Sequence, residues 1–574
     1  MDPRGELPIK TPELQGDVMN FRHAFVAAVI AVAACASTDT PNDNGAFAGP
    51  PMSEESFLAN ISTLASDEFE GRAPGTNGER MTVEYLERMF AAAGLEPGVA
   101  GENGARSWRQ EAVLSAATLT NTPTLTIAGA DGARPYVYGE HFTAWTRRLE
   151  PNIDITNAEL VFVGYGINAP ELGWNDYEGV DVRGKIVVIL INDPDFDTGD
   201  DRGFGGRAMT YYGRWTYKFE EAGRQGAAGA IIVHQTAPAS YPWPVIGSRV
   251  SGARFDVVRA DGGATRAGFD GWMQESVARE TFQRAGLDFD QLRTRAQTRG
   301  FRAVDMGSLA GSISLQTRFE QTRTSNVVGI LPGTTRPNEY VIYTAHWDHL
   351  GRCAPINGDD ICNGALDNAT GTAGLIELAR EFRAHGRPER SVVFIALTAE
   401  EQGLLGALYY QQNPLFNPRD TVAAINMDGI NNMGRTRDIE VVGFGKSEMD
   451  DLITRAARAQ GRRVEPDSSP EAGYFYRSDH IHFAQLGIPV LYTSNGIDLV
   501  EGGVERGQAL NAAYVANDYH KPSDEVTEAW DMSGGIEDLQ LLYTVGRQLA
   551  DGNSWPRWRD NAEFRGARVA SGRN

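Results

Sequence analysis

Residues 343–371 read YTAHWDHLGRCAPINGDDICNGALDNATG. An apolar run, YVIYTA at 340–345, leads into His346, a loop rich in glycine and polar residues carries the chain to Asp367, and a helix-forming stretch opens near residue 371. Strand, loop and helix in that order put a histidine and an aspartate, both good ligands for a divalent cation, just beyond the carboxyl end of a strand. Three later segments bring the remaining groups of a possible two-metal site: Glu400 and Glu401 in LTAEEQG, Asp428 in INMDGI, and His520 in NDYHKPSDE. The function class these groups point to is a hydrolase.

Outward from that stretch, residues 324–555 alternate regularly. Strands are expected at 340–345, 391–398, 421–427, 439–444 and 488–493, with helices at 371–384, 403–412, 447–460 and 534–550. Such alternation predicts an α/β fold, a mostly parallel or mixed sheet flanked by helices on both faces. Ligands of such sheets collect beyond the carboxyl ends of the strands. His346, Glu400 with Glu401, and Asp428 each follow one of the expected strands, so three strand ends supply one rim. Upstream, Val83, Leu86 and Phe90 fall at helical spacing between Glu79 and Ala93, a helix packed on a core. The GRAPGTNG turn at 71–78 reads as loop geometry.

A second unit begins near residue 151. The β-rich runs 159–167, 185–193 and 230–234 and a helix near 215–229 predict a smaller, β-rich α/β domain inserted over 151–323. Residues 272–296 suggest a helix pair, and GSLAGSISLQTRF at 307–319 a strand returning to the main body. The full organisation expected is an uncertain extension at 1–18, a signal at 19–35, a linker at 36–52, the first part of the main domain at 53–150, the insertion, the catalytic domain at 324–555 and a tail at 556–574.

With 574 residues the chain is long enough for two or three domains. A net charge of −23 opposes nonspecific binding to nucleic acid. From Met19 the chain reads MNFRHAFVAAVIAVAACAS. Its apolar run, Ala24 to Ala34, falls short of the roughly 20 residues that span a bilayer but suits the core of an export signal. Val32-Ala33-Ala34-Cys35 resembles a bacterial lipoprotein cleavage box, which predicts lipidation at Cys35 and a periplasmic or extracytoplasmic place in the cell envelope. An ordinary secretory signal with a chance cysteine is the alternative. In that oxidising setting Cys353 and Cys362 are expected to form a disulfide, and neither is a candidate ligand or nucleophile.

The ordered set HWD, LDNATG, AEEQGLLGA, NMDG, RSDHIHF and YHKPSDE is similar to the M28 family of metallopeptidases, of the bacterial aminopeptidase type. Residues 160–189, LVFVGYGINAPELGWNDYEGVDVRGKIVVI, resemble the protease-associated domain that exopeptidases of several kinds carry as an insertion. The first resemblance implies a zinc-exopeptidase-like fold and two zinc ions, with manganese or cobalt as alternatives. Asp367 would bridge the two; His346 and Asp428 would complete one set of ligands, Glu401 and His520 the other. Glu400 would be the general base, and Asp348 would accept from His346 and fix its tautomer. Tyr474, Tyr476, Arg477, Asp479 and His480 are candidates for substrate contact, with packing as the alternative. His349 reads as structural because the HxD pattern already uses this loop's ligand; His141, His234, His385 and His482 also read as structural.

The activity so implied is removal of N-terminal residues from peptides. A glutamate-releasing carboxypeptidase on the same fold would need an arginine cluster for the substrate carboxylate. A one-metal glutaminyl cyclase would not need all five ligands, and a catalytically dead, receptor-like scaffold would have lost some of them. No nucleic-acid partner is expected, and membrane contact only through a lipid on Cys35.

Overall fold

The computed structural model describes residues 51–247 and 252–573. The extension, the signal with Cys35 and nearly all of the linker lie outside the described residues. No helix among the described residues is long and apolar enough to cross a membrane.

The catalytic half is built on a mixed sheet. Its centre is four strands in the spatial order Arg390–Leu397, Arg336–His346, Thr421–Asn426 and Val490–Ser494, each parallel to its neighbour. Residues Arg390–Leu397 (RSVVFIAL) are buried at every position, as expected of a central strand covered on both faces. Antiparallel strands flank this centre: the end of Val304–Leu331 beside Arg390–Leu397, and Asp438–Val441 beside Val490–Ser494. The parallel centre and antiparallel flanks agree with the expected class.

Each face has its own core. One is closed by the helices Glu54–Leu64, Asn77–Ala92, Thr370–Ala384, Met449–Ala459 and Ser533–Asp551, whose apolar sides meet Val341, Tyr343, Val392, Phe394 and Ile425. The other is closed by Leu405–Gln412 and His480–Gln485 and by Trp558 and Phe564. The segment expected as a tail is thus part of the fold: Trp558 donates through Nε1 to the Gly487 carbonyl at 2.9 Å, and Arg568 donates to the carbonyls of Pro418 and Thr421.

A second sheet pairs Asn152–Phe162, Ile186–Leu190, Gly229–His234 and Phe269–Gln274 in parallel order. Its two apolar cores are separate from those of the first sheet. They draw in Leu125, Ile127, Tyr136 and Phe142, so residues before the boundary expected at 151 pack with this sheet. The hairpin Thr124–Gly129 with Gly132–Val137 pairs on this sheet, through Ala310–Ser312, and that pairing assigns it here. One strand of 28 residues, Val304–Leu331, serves both halves: its start pairs with Asn152–Phe162 and its end with Arg390–Leu397.

Candidate metal centre

Three parallel strands set the rim. His346 ends its strand opposite Leu397, and Thr344 pairs with Asn426, so the residues that follow, Glu400 with Glu401 and Asp428, emerge at one end of the sheet. Ala399 turns the chain there with φ at +53°, a left-handed conformation that costs a residue with a Cβ. Asp348 holds the turn: its two carboxylate oxygens accept from the backbone N–H groups of Glu400 at 3.0 Å and Glu401 at 3.3 Å.

That is a different task from the one expected of Asp348. His346 Nδ1 faces the backbone oxygen of Asp348 at 3.1 Å, whereas the nearer carboxylate oxygen is 3.8 Å away. The backbone carbonyl therefore fixes the ring, and an N–H at Nδ1 leaves the lone pair of Nε2 free to bind a metal.

Asp367 divides the cluster. Its Oδ1 lies 3.4 Å from His346 Nε2, which is also 3.2 Å from Asp428 Oδ1. Its Oδ2 lies 3.2 Å from His520 Nε2, which is also 3.2 Å from Glu401 Oε2. Two donors bound at about 2.05 Å to one tetrahedral ion would stand about 3.3 Å apart. The donors fit such ions: His346, Asp367 and Asp428 on one side, and Asp367, Glu401 and His520 on the other. Mixed imidazole and carboxylate donors suit zinc.

The bridging loop is held by groups that did not stand out in the sequence. Asp524 accepts from the backbone N–H of Leu366 at 2.9 Å and of Asp367 at 3.1 Å. Among the described residues no backbone N–H bonds the Asp367 carboxylate; its own N–H is the donor to Asp524. Asn368 takes N–H groups from Gly371 and Gly429 and donates to the Met427 carbonyl, tying this loop to that of Asp428. Beneath lies Arg72, fully buried, whose guanidinium donates to the carbonyls of Leu64, Trp347, Asn363 and Gly364 at 2.6–2.9 Å. Burial lowers its pKa to about 10, against the opposing pull of Asp524, Asp348, Asp367 and Glu401, so it stays cationic at neutral pH. The Cys353–Cys362 disulfide is formed and ties the hairpin between His346 and Asp367.

His349 is the residue whose reading changes most. It is fully buried, with Nδ1 2.6 Å from Glu401 Oε1 and 4.0 Å from Asp367 Oδ2. It thus belongs to the cluster rather than to the scaffold alone.

Glu400 is held well above the usual carboxyl range by burial and by Asp428, Glu401 and Asp479, against the opposing pull of His346. Of the substrate-contact candidates, Asp479 lies closest to this chemistry: fully buried, without a hydrogen bond to its carboxylate, and in the field of His346, Asp348 and Asp428. Tyr476 turns away instead, donating to Glu563 and accepting from Lys446. His480 packs between Phe475 and Tyr492 with ring centroids 4.8 and 4.7 Å away. Arg477 lies over the Tyr474 ring. For Tyr476 and His480 packing is what the structure shows. Tyr492 was missed: it lies in the middle of the strand Val490–Ser494, and burial with Asp428, Glu400 and Asp367 nearby holds its phenol protonated. Tyr519 stacks on His520 at 3.9 Å.

The sequence model of Peptidase family M28 matches residues 326–544. A "Probable zinc metalloprotease" of Pyrenophora tritici-repentis (strain Pt-1C-BFP) is 26% identical over 238 residues, 40% of this chain and 52% of that protein. "Aminopeptidase NAALADL1" of Mus musculus is 35% identical over 122 residues, 20% of this chain and 15% of that one. The chain thus spans about half the length of the first relative and a smaller part of the second. Among solved structures, an aminopeptidase from Aneurinibacillus sp. strain AM-1 aligns over 87% of this chain and 95% of its own, at 19% identity and a TM-score of 0.48. Residues 326–544, which carry all of the clustered histidines and carboxylates, are the part of the chain that matches the model of Peptidase family M28.

Proposed function

We propose that this chain is a two-zinc aminopeptidase that releases residues from the free N-terminus of peptides. The observation that carries the reading is the division of Asp367, one carboxylate oxygen toward His346 and the other toward His520. His346 and Asp428 would hold one ion, Glu401 and His520 the other, with Asp367 shared. Ions bound there would polarise a scissile carbonyl and acidify a water molecule.

The remaining work falls to the chain's own groups. Glu400, placed by the Ala399 turn and by Asp348, takes the water's proton on its carboxylate and returns it to the departing amine. Its raised proton affinity suits both transfers, because a very weak base would take no proton and a strong one would not release it. Asp348 keeps the base and the ligand Glu401 on one rigid turn, so both face the substrate in fixed register.

The polarity of the surroundings supports the amino end. The groups around the cluster are carboxyls, Asp348, Asp479, Glu400 and Glu401, of which Asp479 has no hydrogen-bond partner and so offers an acceptor to an ammonium group. Arg72 is engaged by four carbonyls and Arg352 by Asp360 on the hairpin, so neither is free to bind a substrate carboxylate. The name of the mouse relative, an aminopeptidase, agrees with this.

A panel of peptides with free and with blocked N-termini, scored for which end is released, tests the reading. Release from the carboxyl end, or indifference to an N-terminal block, would overturn it. Zinc analysis should give about two ions per chain. The envelope location belongs to the same proposal, and mass spectrometry of protein made in a bacterial host should find diacylglycerol on Cys35.

A further inference from the structure

Resting on the peptidase reading, we infer that Arg214 and Arg477 form an anion subsite beside the metal centre, where they bind a carboxylate of the peptide substrate within a few residues of the cleaved bond. The carboxylate is the C-terminus of a short peptide or an acidic side chain of a longer one.

The two arginines come from different halves of the chain and are brought together where the halves meet. The Met209 N–H donates to the Pro470 carbonyl at 3.0 Å, and a Cβ on Gly473 would lie 2.6 Å from Met209 Sδ. The rings of Tyr211 and Tyr476, three places before Arg214 and one before Arg477, have centroids 6.4 Å apart. The segment carrying Arg214 is itself held in place, because buried Asp193 accepts from the backbone N–H and the hydroxyl of Thr210 at 3.1 and 2.9 Å.

What the pair lacks is a counter-ion. The Nε atoms of Arg214 and Arg477 are both buried without a hydrogen-bond partner, and among the described residues neither guanidinium makes an ion pair. Other buried arginines of this chain do find carboxylates, Arg147 at Asp270 and Arg462 at Asp538, 3.2 and 2.7 Å away. Arg477 lies over the Tyr474 ring, 5.2 Å from its centroid, a contact with the flat face that leaves the N–H edge for a planar anion. Burial and the neighbouring Arg477 lower the pKa of Arg214 to about 10, so it stays cationic at neutral pH. Like charges set together and partly stripped of water are costly. A carboxylate between them offsets that cost, and the guanidinium fork matches its two oxygens.

The subsite adjoins the proposed reaction centre. Ser478, the residue after Arg477, accepts from Asn426 Nδ2 at 2.8 Å, and Asn426 precedes Asp428 by two places. Asp479 follows, with its unpartnered carboxyl in the field of His346. Cα atoms about 3.8 Å apart along the chain put Arg477 within about 7.6 Å of Asp479, the length of about two residues of extended peptide. Asp479 thus meets the ammonium end of a substrate and the arginine pair a carboxylate a short way along it. The surrounding acidic groups would otherwise repel that carboxylate. The substrates favoured are short peptides, or peptides with an acidic residue next to the cleaved one.

The zinc-loaded full chain is assayed on tripeptides with a free N-terminus, in pairs that differ by one charge: C-terminal carboxylate against carboxamide, and glutamate against glutamine at each position of the amidated peptide. In at least one pair the carboxylate should raise kcat/KM by about 10–100-fold, the range for hydrogen bonds to a charged group, and the pair that responds names the source. R214M and R477M should each cut that ratio by about 10-fold, and R477E should turn it in favour of the neutral peptide. The ratio is read within one protein, so a variant that folds poorly still reports it. No carboxylate preference in any wild-type pair, or a preference that both methionine variants keep, would overturn the inference. Amino-end release without the preference leaves the aminopeptidase reading standing and sinks the arginine pair; carboxyl-end release with a preference that R214M removes keeps the pair and sinks that reading.

Discussion

Asp348 and Glu400 are joined through the backbone: Asp348 Oδ1 accepts the Glu400 N–H at 3.0 Å, while Oδ2 takes that of Glu401 at 3.3 Å. The turn carrying the proposed base and the proposed ligand thus hangs from one buried carboxylate. In D348N one oxygen becomes an NH2 that must face a backbone N–H, so the turn loses one bond and gains a repulsion. Expected is a fall in kcat of about 10–100-fold, with zinc content lowered only modestly. Complete zinc loss with unchanged kcat per bound zinc would show that Asp348 serves the ligand and not the base.

Glu400 and Glu401 differ in what they touch. Glu401 meets His349 and His520 at 2.6 and 3.2 Å, whereas Glu400 has His346 and Asp428 only as charged neighbours. The variant E400Q should therefore keep the zinc content of the parent and lose about 10²–10⁴-fold in kcat, with KM little changed. E401Q should instead lose zinc. The reverse pattern would exchange the two roles.

Arg72 carries a testable structural load. Its guanidinium satisfies four carbonyls from the first helix and from both ends of the His346–Asp367 loop. In R72M the stem remains, but the carbonyls lose their donors where no other protein donor replaces them. A loss of about 3–5 kcal/mol is expected, the range for removing one member of a buried charged network, together with weaker zinc retention. Denaturant unfolding of the zinc-free and zinc-loaded forms checks both. A change below about 1 kcal/mol, the scale of a surface contact, would show that water replaces the guanidinium.

What the sequence showed and what it hid follow from range. His346, Glu400, Glu401 and Asp428 were legible because each follows an apolar strand run, and a parallel sheet carries all such ends to one rim. Asp367 and His520 stood out as ligand types, but only the resemblance to the family's ordered motifs gave them places in two ligand sets. The place of His349 beside Glu401 was not legible, because a histidine three places after another looks redundant and its position depends on packing against Gly364, 15 residues away. Arg72 hid inside a turn of Gly, Ala and Pro whose composition explains itself. That residues before 151 pair with the second sheet was not legible, because Thr124–Gly129 and Gly132–Val137 look like any hairpin and only the pairing with Ala310–Ser312 places it there. The strand Val304–Leu331 crosses from one half to the other unbroken, its burial alternating over the first part and continuous from Thr324 to Leu331.

His480 supplies a pH dependence with a definite sign. It is 1% exposed, packed against Phe475 and Tyr492, and burial pushes its pKa down from 6.5 to about 3. A group whose folded pKa lies below its unfolded value takes up protons first in the unfolded chain. Its contribution is present in full above pH 6.5 and is lost as the pH falls toward 3. By pH 5 that loss amounts to about 2 kcal/mol. H480F fills the ring's place without a titrating nitrogen, so its stability should fall less between pH 7 and pH 5 by about that amount. Zinc release on acidification affects both proteins alike, and the difference between the two declines, read from urea unfolding at matched zinc, isolates the histidine. Parallel declines would mean that the buried ring takes up a proton in the folded protein nearly as readily as in the unfolded chain.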